Sequence, residues 1–136
     1  KGVLVTGLGT FAVVQEQFHS KKEAHVVRRP VFQLEMDEFF LQELVFPTVV
    51  IPGEIKHLSY SWLSRATSFP RHVVKDCVRE TTLLYSFQLR NKPRLPFIFN
   101  DIGILSCRDD VLCMEFYCEC VTKLESKASR IALLHT

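Results

Sequence analysis

Two kinds of hydrophobic patterning alternate along the chain, one repeating every second residue and one at a period near 3.6, and they predict different elements. Val3-Leu4-Val5-Thr6-Gly7-Leu8-Gly9-Thr10-Phe11-Ala12-Val13-Val14 is a β-branched run, a glycine-flanked turn and a second β-branched run, which reads as a hairpin. Phe97-Ile98-Phe99-Asn100-Asp101-Ile102-Gly103-Ile104-Leu105 has the same form. Gly103 falls on Gly9 and Ile102 on Leu8 at an offset of 94, so the chain carries a weak internal repeat. Gly7, Gly9 and Gly103 are expected to supply turn conformations that a side chain resists. Further along, Arg29-Pro30-Val31-Phe32 answers Val111-Leu112-Cys113-Met114-Glu115-Phe116 if Phe32 is matched to Phe116. On that match the second repeat is shorter by ten residues. What it lacks, Gln15 to Val27, is a long polar hairpin tip in the first half and a tight turn at Arg108-Asp109-Asp110 in the second.

The helical period appears between the repeats. Leu58, Trp62 and Ala66 recur every four residues and predict a helix over Leu58 to Thr67. A longer helix follows, with Pro70 in its first turn and Val73, Val74, Cys77, Val78, Leu84 and Tyr85 as its apolar stripe. Pro93 and Pro96 end it and open the strands. Val111 to Cys120 alternates, placing Leu112, Met114, Phe116, Cys118 and Cys120 on one face of a strand. Val121 to Lys127 is a short amphipathic closing helix, and Asp37 to Leu44 a short helical segment in the first half.

This order predicts an α+β chain of two related units, each a three-stranded antiparallel sheet, with a helix pair ahead of the second sheet only. The expected boundaries are 1–45 for a first unit of sheet and arm, 46–54 for a linker, 55–127 for the second unit and 128–136 for a tail. The linker, with Pro47, Pro52 and Gly53 around Val49, Val50 and Ile51, is expected to lie in a surface groove or along a sheet edge. A helix pair and a small sheet bury little core alone, so the two units are expected to pack on each other as an intramolecular pseudo-dimer, with homodimerisation as the alternative.

Composition narrows the function. With 136 residues, 47% hydrophobic and eleven Phe, the chain fits packed domains and excludes collagen-like and disordered classes. No apolar run approaches the roughly 18 residues of a membrane span. The net charge of +2 excludes a clamp built on bulk charge, so electrostatics must be local. Residues 1–45 hold five basic and six acidic side chains, residues 54–108 nine and four, and residues 109–136 three and five. The surplus therefore sits on the helical stretch. Five cysteines, an odd number without a scaffold spacing, read as reduced thiols of an intracellular protein.

Helix, helix and three strands, with the turn Gly7-Leu8-Gly9-Thr10-Phe11 and the return element Arg29-Pro30-Val31-Phe32, resemble the bacterial HU and integration host factor family of DNA-bending proteins. Tandem units joined through Pro52-Gly53-Glu54, with Val74-Lys75-Asp76-Cys77-Val78-Arg79-Glu80-Thr81 on the second helix, more specifically resemble the eukaryotic coiled-coil domain-containing protein 81 family, which has two amino-terminal HU domains. The resemblance runs from Lys1 to about Leu124 and implies that the first unit lacks its amino-terminal helices. It also implies a non-enzymatic interaction or scaffold role at the centrosome or cytoskeleton, with protein partners. DNA binding is the alternative, and neither cofactor nor membrane is implied.

HU-type arms embrace the minor groove with an apolar wedge and phosphate-neutralising cations. The arm candidates here are His19, Lys21, Lys22, Arg28 and Arg29, interrupted by Glu16 and Glu23. A solvated hairpin or protein-docking edge is the expectation for so balanced an arm, since phosphate contacts need uncompensated cations. Arg71, Lys75 and Arg79 recur along one face of the long helix, and Arg90, Lys92 and Arg94 cluster where it meets the sheet. They read as a solvated face or, more sharply, as a docking site for an acidic partner. Cys107, Cys113, Cys118 and Cys120, with His135, raise zinc, but their spacing forms no C-x-x-C pair and core packing is expected, as for Cys77. The glycine turn lacks the Lys-Ser/Thr of a phosphate loop, and His57 and His72 have no nucleophile partner, so no catalytic constellation is found.

Overall fold

The computed structural model describes residues 1–19, 24–36, 44–91 and 94–124, leaving out the side chains of residues 18, 19, 24 and 25. Strand β1 (Gly2–Val5) turns into the long β2 (Gly9–His19), which pairs antiparallel with β3 (Ala24–Leu34). The short β4 (Ile55–His57) joins the other edge of β1 in parallel, giving the order β3-β2-β1-β4. Helices α1 (Tyr60–Thr67) and α2 (Arg71–Gln88) follow, then the antiparallel sheet β5 (Phe97–Phe99), β6 (Gly103–Arg108) and β7 (Val111–Phe116), and finally α3 (Cys118–Leu124). Among the described residues no helix is long and apolar enough to cross a membrane.

The two hairpins share their turn and their register. Leu8 N–H donates to Val5 O at 3.0 Å, and Ile102 N–H to Phe99 O at 3.1 Å. The left-handed residue of the first turn is Gly7, φ 85°, and its counterpart is Asp101, φ 64°. Aspartate tolerates this region because its short side chain bonds locally. Gly9 pairs with Leu34 as Gly103 pairs with Phe116. The counterpart of Phe116 is therefore Leu34, two residues beyond the expected Phe32. Val14 pairs with Arg29 as Arg108 pairs with Val111, so residues 15–28 stand where the second sheet has only Asp109 and Asp110. The first arm is longer by twelve residues rather than ten.

Gly9 and Gly103 are needed for close approach rather than for a turn. A Cβ on Gly9 would lie 2.3 Å from Gln33 O, and one on Gly103 2.4 Å from Glu115 O, the carbonyl preceding the paired residue in each sheet. The Asp109-Asp110 turn has positive φ at both residues, 51° and 62°, the geometry of a two-residue hairpin that follows the strand twist.

Helix α1 starts later than its apolar period suggests. Ser59 caps α1 by accepting from Trp62 N–H, which leaves Leu58 outside, and Ser68 closes it in the left-handed region. Trp62 lies exposed, and α1 buries none of its residues. On α2 the buried face is Val74, Thr82, Tyr85 and Ser86, whereas Leu84 is 70% exposed. Thr82 and Ser86 are admitted because their hydroxyls donate within the helix, to Arg79 O at 3.0 Å and Leu83 O at 2.7 Å. Such bonds satisfy a buried hydroxyl without a tertiary partner.

Strand β7 stops at Phe116, short of the expected Cys120. Tyr117 N–H donates to Ile102 O, and the chain turns into α3 from Cys118 instead of Val121. That ends the alternation that would have carried Cys118 into the core. Cys77, Cys113 and Cys118 are exposed, and Cys107 and Cys120 half-buried, so the thiols are not the core positions they were expected to be. The segment Asp37 to Leu44 falls outside the described residues except for Leu44, and His135 lies outside them altogether.

One core serves both sheets. Leu8, Phe32, Leu34 and Leu44 from the first half cluster with Tyr85, Leu89, Leu105 and Leu112 from the second. The connection between the halves is tied down rather than free. Leu112 N–H donates to Val45 O at 2.7 Å, Val49 N–H to Gln33 Oε1 at 2.6 Å, and Gly2 N–H to Glu54 O at 2.9 Å.

Candidate interaction surface

Helix α2 begins with Pro70 at its N-cap, with no side-chain cap and no acidic residue in its first turn. Val73 N–H turns back to Pro70 O at 3.1 Å, but no side chain offsets the positive end of the helix dipole, and Arg71 adds a cation there. Lys75 and Arg79 follow at four-residue steps, about 6 Å apart along the axis. The structure brings these three together on one wall of a cavity of about 680 Å³. Across it stand His57, delivered by β4, and the hydroxyl-bearing Thr6, Ser59, Tyr60 and Ser61. No carboxylate lines the cleft among the described residues, and Arg71, Lys75 and Arg79 form no ion pair with a described residue. The arrangement suits an anionic or hydrogen-bonding surface approaching from solvent.

The other expected cations fare differently. Arg94 belongs to the structure: its side chain is 9% exposed, bonds Asp110 Oδ1 through Nη1, and donates from Nε to Leu89 O at 2.8 Å. It clamps the β6–β7 turn to the end of α2 and is not available to a partner. Arg90 is exposed at the end of α2, and Lys92 lies outside the described residues. On the arm, Arg29 meets Glu16 at 2.5 Å, Arg28 is exposed, and Lys21, Lys22 and the side chain of His19 lie outside the described residues.

Sequence reasoning missed Thr6, Ser59, Tyr60, Ser61 and the placement of His57, because the parallel β1–β4 pairing that assembles them joins segments some fifty residues apart. It also missed an apolar groove of about 490 Å³ on the next face of α2, walled by Val3, Val5, Phe99 and Ile102 and by Cys77 and Val78. Leu58 lines both the groove and the basic cleft.

His57, Arg71, Lys75 and Arg79, together with α1, α2 and the sheet β5–β7, fall inside residues 54–128, which match the family model described as CCDC81 eukaryotic HU domain 2. The match spans more than half of the 136 residues, and the chain belongs to the CCDC81 eukaryotic HU domain family.

Proposed function

We propose that the chain is a non-enzymatic protein-interaction module of the centrosome or cytoskeleton, built from two HU-like units in tandem. Residues 1–45 are the first unit, 46–54 the linker, 55–127 the second unit and 128–136 a tail. The units pair within one chain, a reading supported by the core that both halves build. The docking surface is the basic cleft of α2, and the observation that carries this reading is the row Arg71, Lys75 and Arg79 facing a cavity that no carboxylate lines among the described residues. A protein surface rich in Asp and Glu complements that row and is steered to it.

Non-specific duplex binding through the arm is the competing reading. It is weakened by the Arg29–Glu16 pair, which cancels an arm cation that phosphate binding would need. Two measurements separate the readings. Random duplex DNA at low salt gives no mobility shift if the module binds protein, and a strong shift collapsing steeply with salt if it binds DNA. Proximity labelling by the full-length protein in cells recovers centrosomal or cytoskeletal neighbours. Combined Arg71→Glu, Lys75→Glu and Arg79→Glu removes them, while Arg28→Ala with Arg29→Ala leaves them in place.

A further inference from the structure

The basic cleft has two walls of different chemistry. Arg71, Lys75 and Arg79 of α2 make one of them cationic, and Thr6, Ser59, Tyr60 and Ser61 make the other neutral and rich in hydroxyls, with His57 among them. Thr6 apart, these residues all belong to the second unit, in β4, at the start of α1 or in the first half of α2. The cationic wall keeps its charge. Asp76 and Glu80, the carboxylates of α2, do not line the cleft, and neither pairs with a cation among the described residues.

The hydroxyls opposite keep their protons. Elsewhere on the two helices serine and threonine donate to carbonyls: Ser64 to Phe69 O and Thr67 to Leu63 O, Thr81 to Cys77 O and Thr82 to Arg79 O. Ser59 Oγ accepts from Trp62 N–H at 3.2 Å as the cap of α1, which uses a lone pair and leaves the hydroxyl proton for another acceptor. Among the described residues the hydroxyls of Thr6, Ser59, Tyr60 and Ser61 donate to no group. An anion that enters the cleft therefore meets charged N–H donors on one side and neutral O–H donors on the other.

That pairing of walls selects among anions. A carboxylate of Glu or Asp is a planar monoanion, and resting on the α2 row it leaves the hydroxyl wall unused. A nucleic-acid phosphate carries one charge and is flanked by sugar on both sides. A phosphate monoester on a side chain carries about −1.5 to −2 charges at pH 7 and three terminal oxygens in tetrahedral array, so it can accept from both walls at once, with charge-assisted bonds on the α2 side. Leu58 is the one aliphatic side chain lining the cleft among the described residues, which offers a phosphotyrosine ring little apolar seat. We infer that the cleft receives a phosphorylated serine or threonine of a partner protein, its phosphate held between Arg71, Lys75 and Arg79 and the hydroxyls of Ser59, Tyr60 and Ser61. The inference rests on the protein-interaction reading and names the chemistry its partner presents.

The test uses a short labelled peptide of Gly, Ala and Asp with one central phosphoserine, and twins with glutamate, unmodified serine or phosphotyrosine at that place. In fluorescence anisotropy on the full chain the phosphoserine peptide binds at least about tenfold more tightly than its glutamate twin and the serine twin is weaker still, as expected where charge-assisted bonds are lost. Lys75→Glu with Arg79→Glu abolishes binding of all four. Tyr60→Phe with Ser61→Ala narrows the preference for phosphoserine over glutamate to about threefold or less and leaves the affinity for the glutamate peptide unchanged, which a loss of folding would not do; thermal melts of both variants check that they remain folded. Equal binding of the phosphoserine and glutamate peptides, or no binding of either, overturns the inference. So does tighter binding of the phosphotyrosine twin, or displacement of the phosphoserine peptide by random duplex DNA. If phosphoserine and glutamate peptides bind alike and the triple Glu variant of the cleft loses its cellular neighbours, the interaction reading stands and the phosphate falls. If that variant keeps its neighbours and no peptide binds, the interaction reading falls as well.

Discussion

Phe11 and Phe99 meet edge to face, their ring centroids 5.2 Å apart and their planes at 70°, and this contact joins the sheet of the first half to that of the second. It sits in the middle of a file of rings. Phe32 lies 4.7 Å from Phe11, Phe97 4.6 Å from Phe99, and Tyr85 of α2 4.8 Å from Phe97. Aromatic pairs in such geometry add about 0.5–1.5 kcal/mol beyond the area they bury. Phe11→Ala removes two of these contacts and leaves a cavity, so it should cost about 3 kcal/mol, the lower end of the range for buried aromatics because Phe11 is half-buried. Chemical denaturation should still show one transition, shifted to lower denaturant. Hydrogen exchange should speed up in β6 and β7 as well as in β2, although the substitution lies in the first sheet.

The shared core makes a prediction about the isolated second unit. Residues 54–128 alone would expose Tyr85, Leu89, Leu105 and Leu112 where Leu8, Phe32, Leu34 and Leu44 now cover them. Burying each such side chain contributes about 1.5–3 kcal/mol, so the loss is comparable with the whole stability of a small domain. That fragment should therefore dimerise or remain unfolded, as measured by sedimentation and circular dichroism at several concentrations. A stable, folded monomer would overturn the pairing of the two units.

Gly9 and Gly103 should respond alike to a single methyl group. Alanine at either position drives Cβ against a ladder carbonyl, at 2.3 and 2.4 Å, and the strand must shift to relieve it. We expect Gly9→Ala and Gly103→Ala each to cost about 2 kcal/mol or more in thermal unfolding. Gly53→Ala is the comparison, since its added Cβ meets nothing closer than Lys1 N at 3.5 Å and only the positive φ of 92° opposes it. A cost near 1 kcal/mol is expected there.

These glycines also mark how far the sequence could be read. Hairpin turns and the long helix were legible because glycine placement and a four-residue apolar period are local signals. The register was not, since Phe32 and Phe116 invite a match by identity, whereas pairing counts outward from Gly9 and Gly103 and aligns Phe116 with Leu34. The cysteines were misplaced by extending a period of two through Tyr117, where a hydrogen bond to Ile102 turns the strand into a helix. Thr82 and Ser86 lie outside the apolar stripe read from the sequence, because the intrahelical bonds that let them be buried are invisible in composition. For the cleft, Arg71, Lys75 and Arg79 were legible from their spacing. Its opposite wall depends on Leu4 pairing with His57, a contact between remote segments that no local pattern reports.

Arg94 and Arg71 look interchangeable in sequence and should separate cleanly in experiment. Replacing Arg94 by Met leaves Leu89 O and Asp110 without the guanidinium that bridges them, so unfolding should move to lower temperature by several degrees, corresponding to about 1–3 kcal/mol. Arg71→Ala removes an exposed cation from the positive end of α2 and should leave the melting temperature unchanged or slightly raised, by up to about 1 kcal/mol. A thermal shift measured on both variants at low salt checks the pair of expectations.

Tyr85 carries the sharpest stability prediction. Its side chain sits in the shared core, its hydroxyl has no hydrogen-bond partner among the described residues, and burial, with Cys107 nearby, pushes the phenol well above its ordinary pKa. The sign follows from that shift. A group whose folded pKa is raised holds its proton in the native state beyond the pH at which the unfolded chain releases it, so the stability it contributes is present below about pH 10 and is lost as pH rises above that value. Tyr85→Phe keeps the ring against Phe97 and removes the unpaired hydroxyl, so at neutral pH it should be neutral to stabilising by about 1 kcal/mol. Above pH 10 the gap should widen in favour of Phe, because only the tyrosine chain gains by ionising when it unfolds. Denaturation midpoints of the two proteins at pH 7 and pH 10.5 measure this directly, and a loss of stability on removing the hydroxyl would mean that the oxygen has a partner.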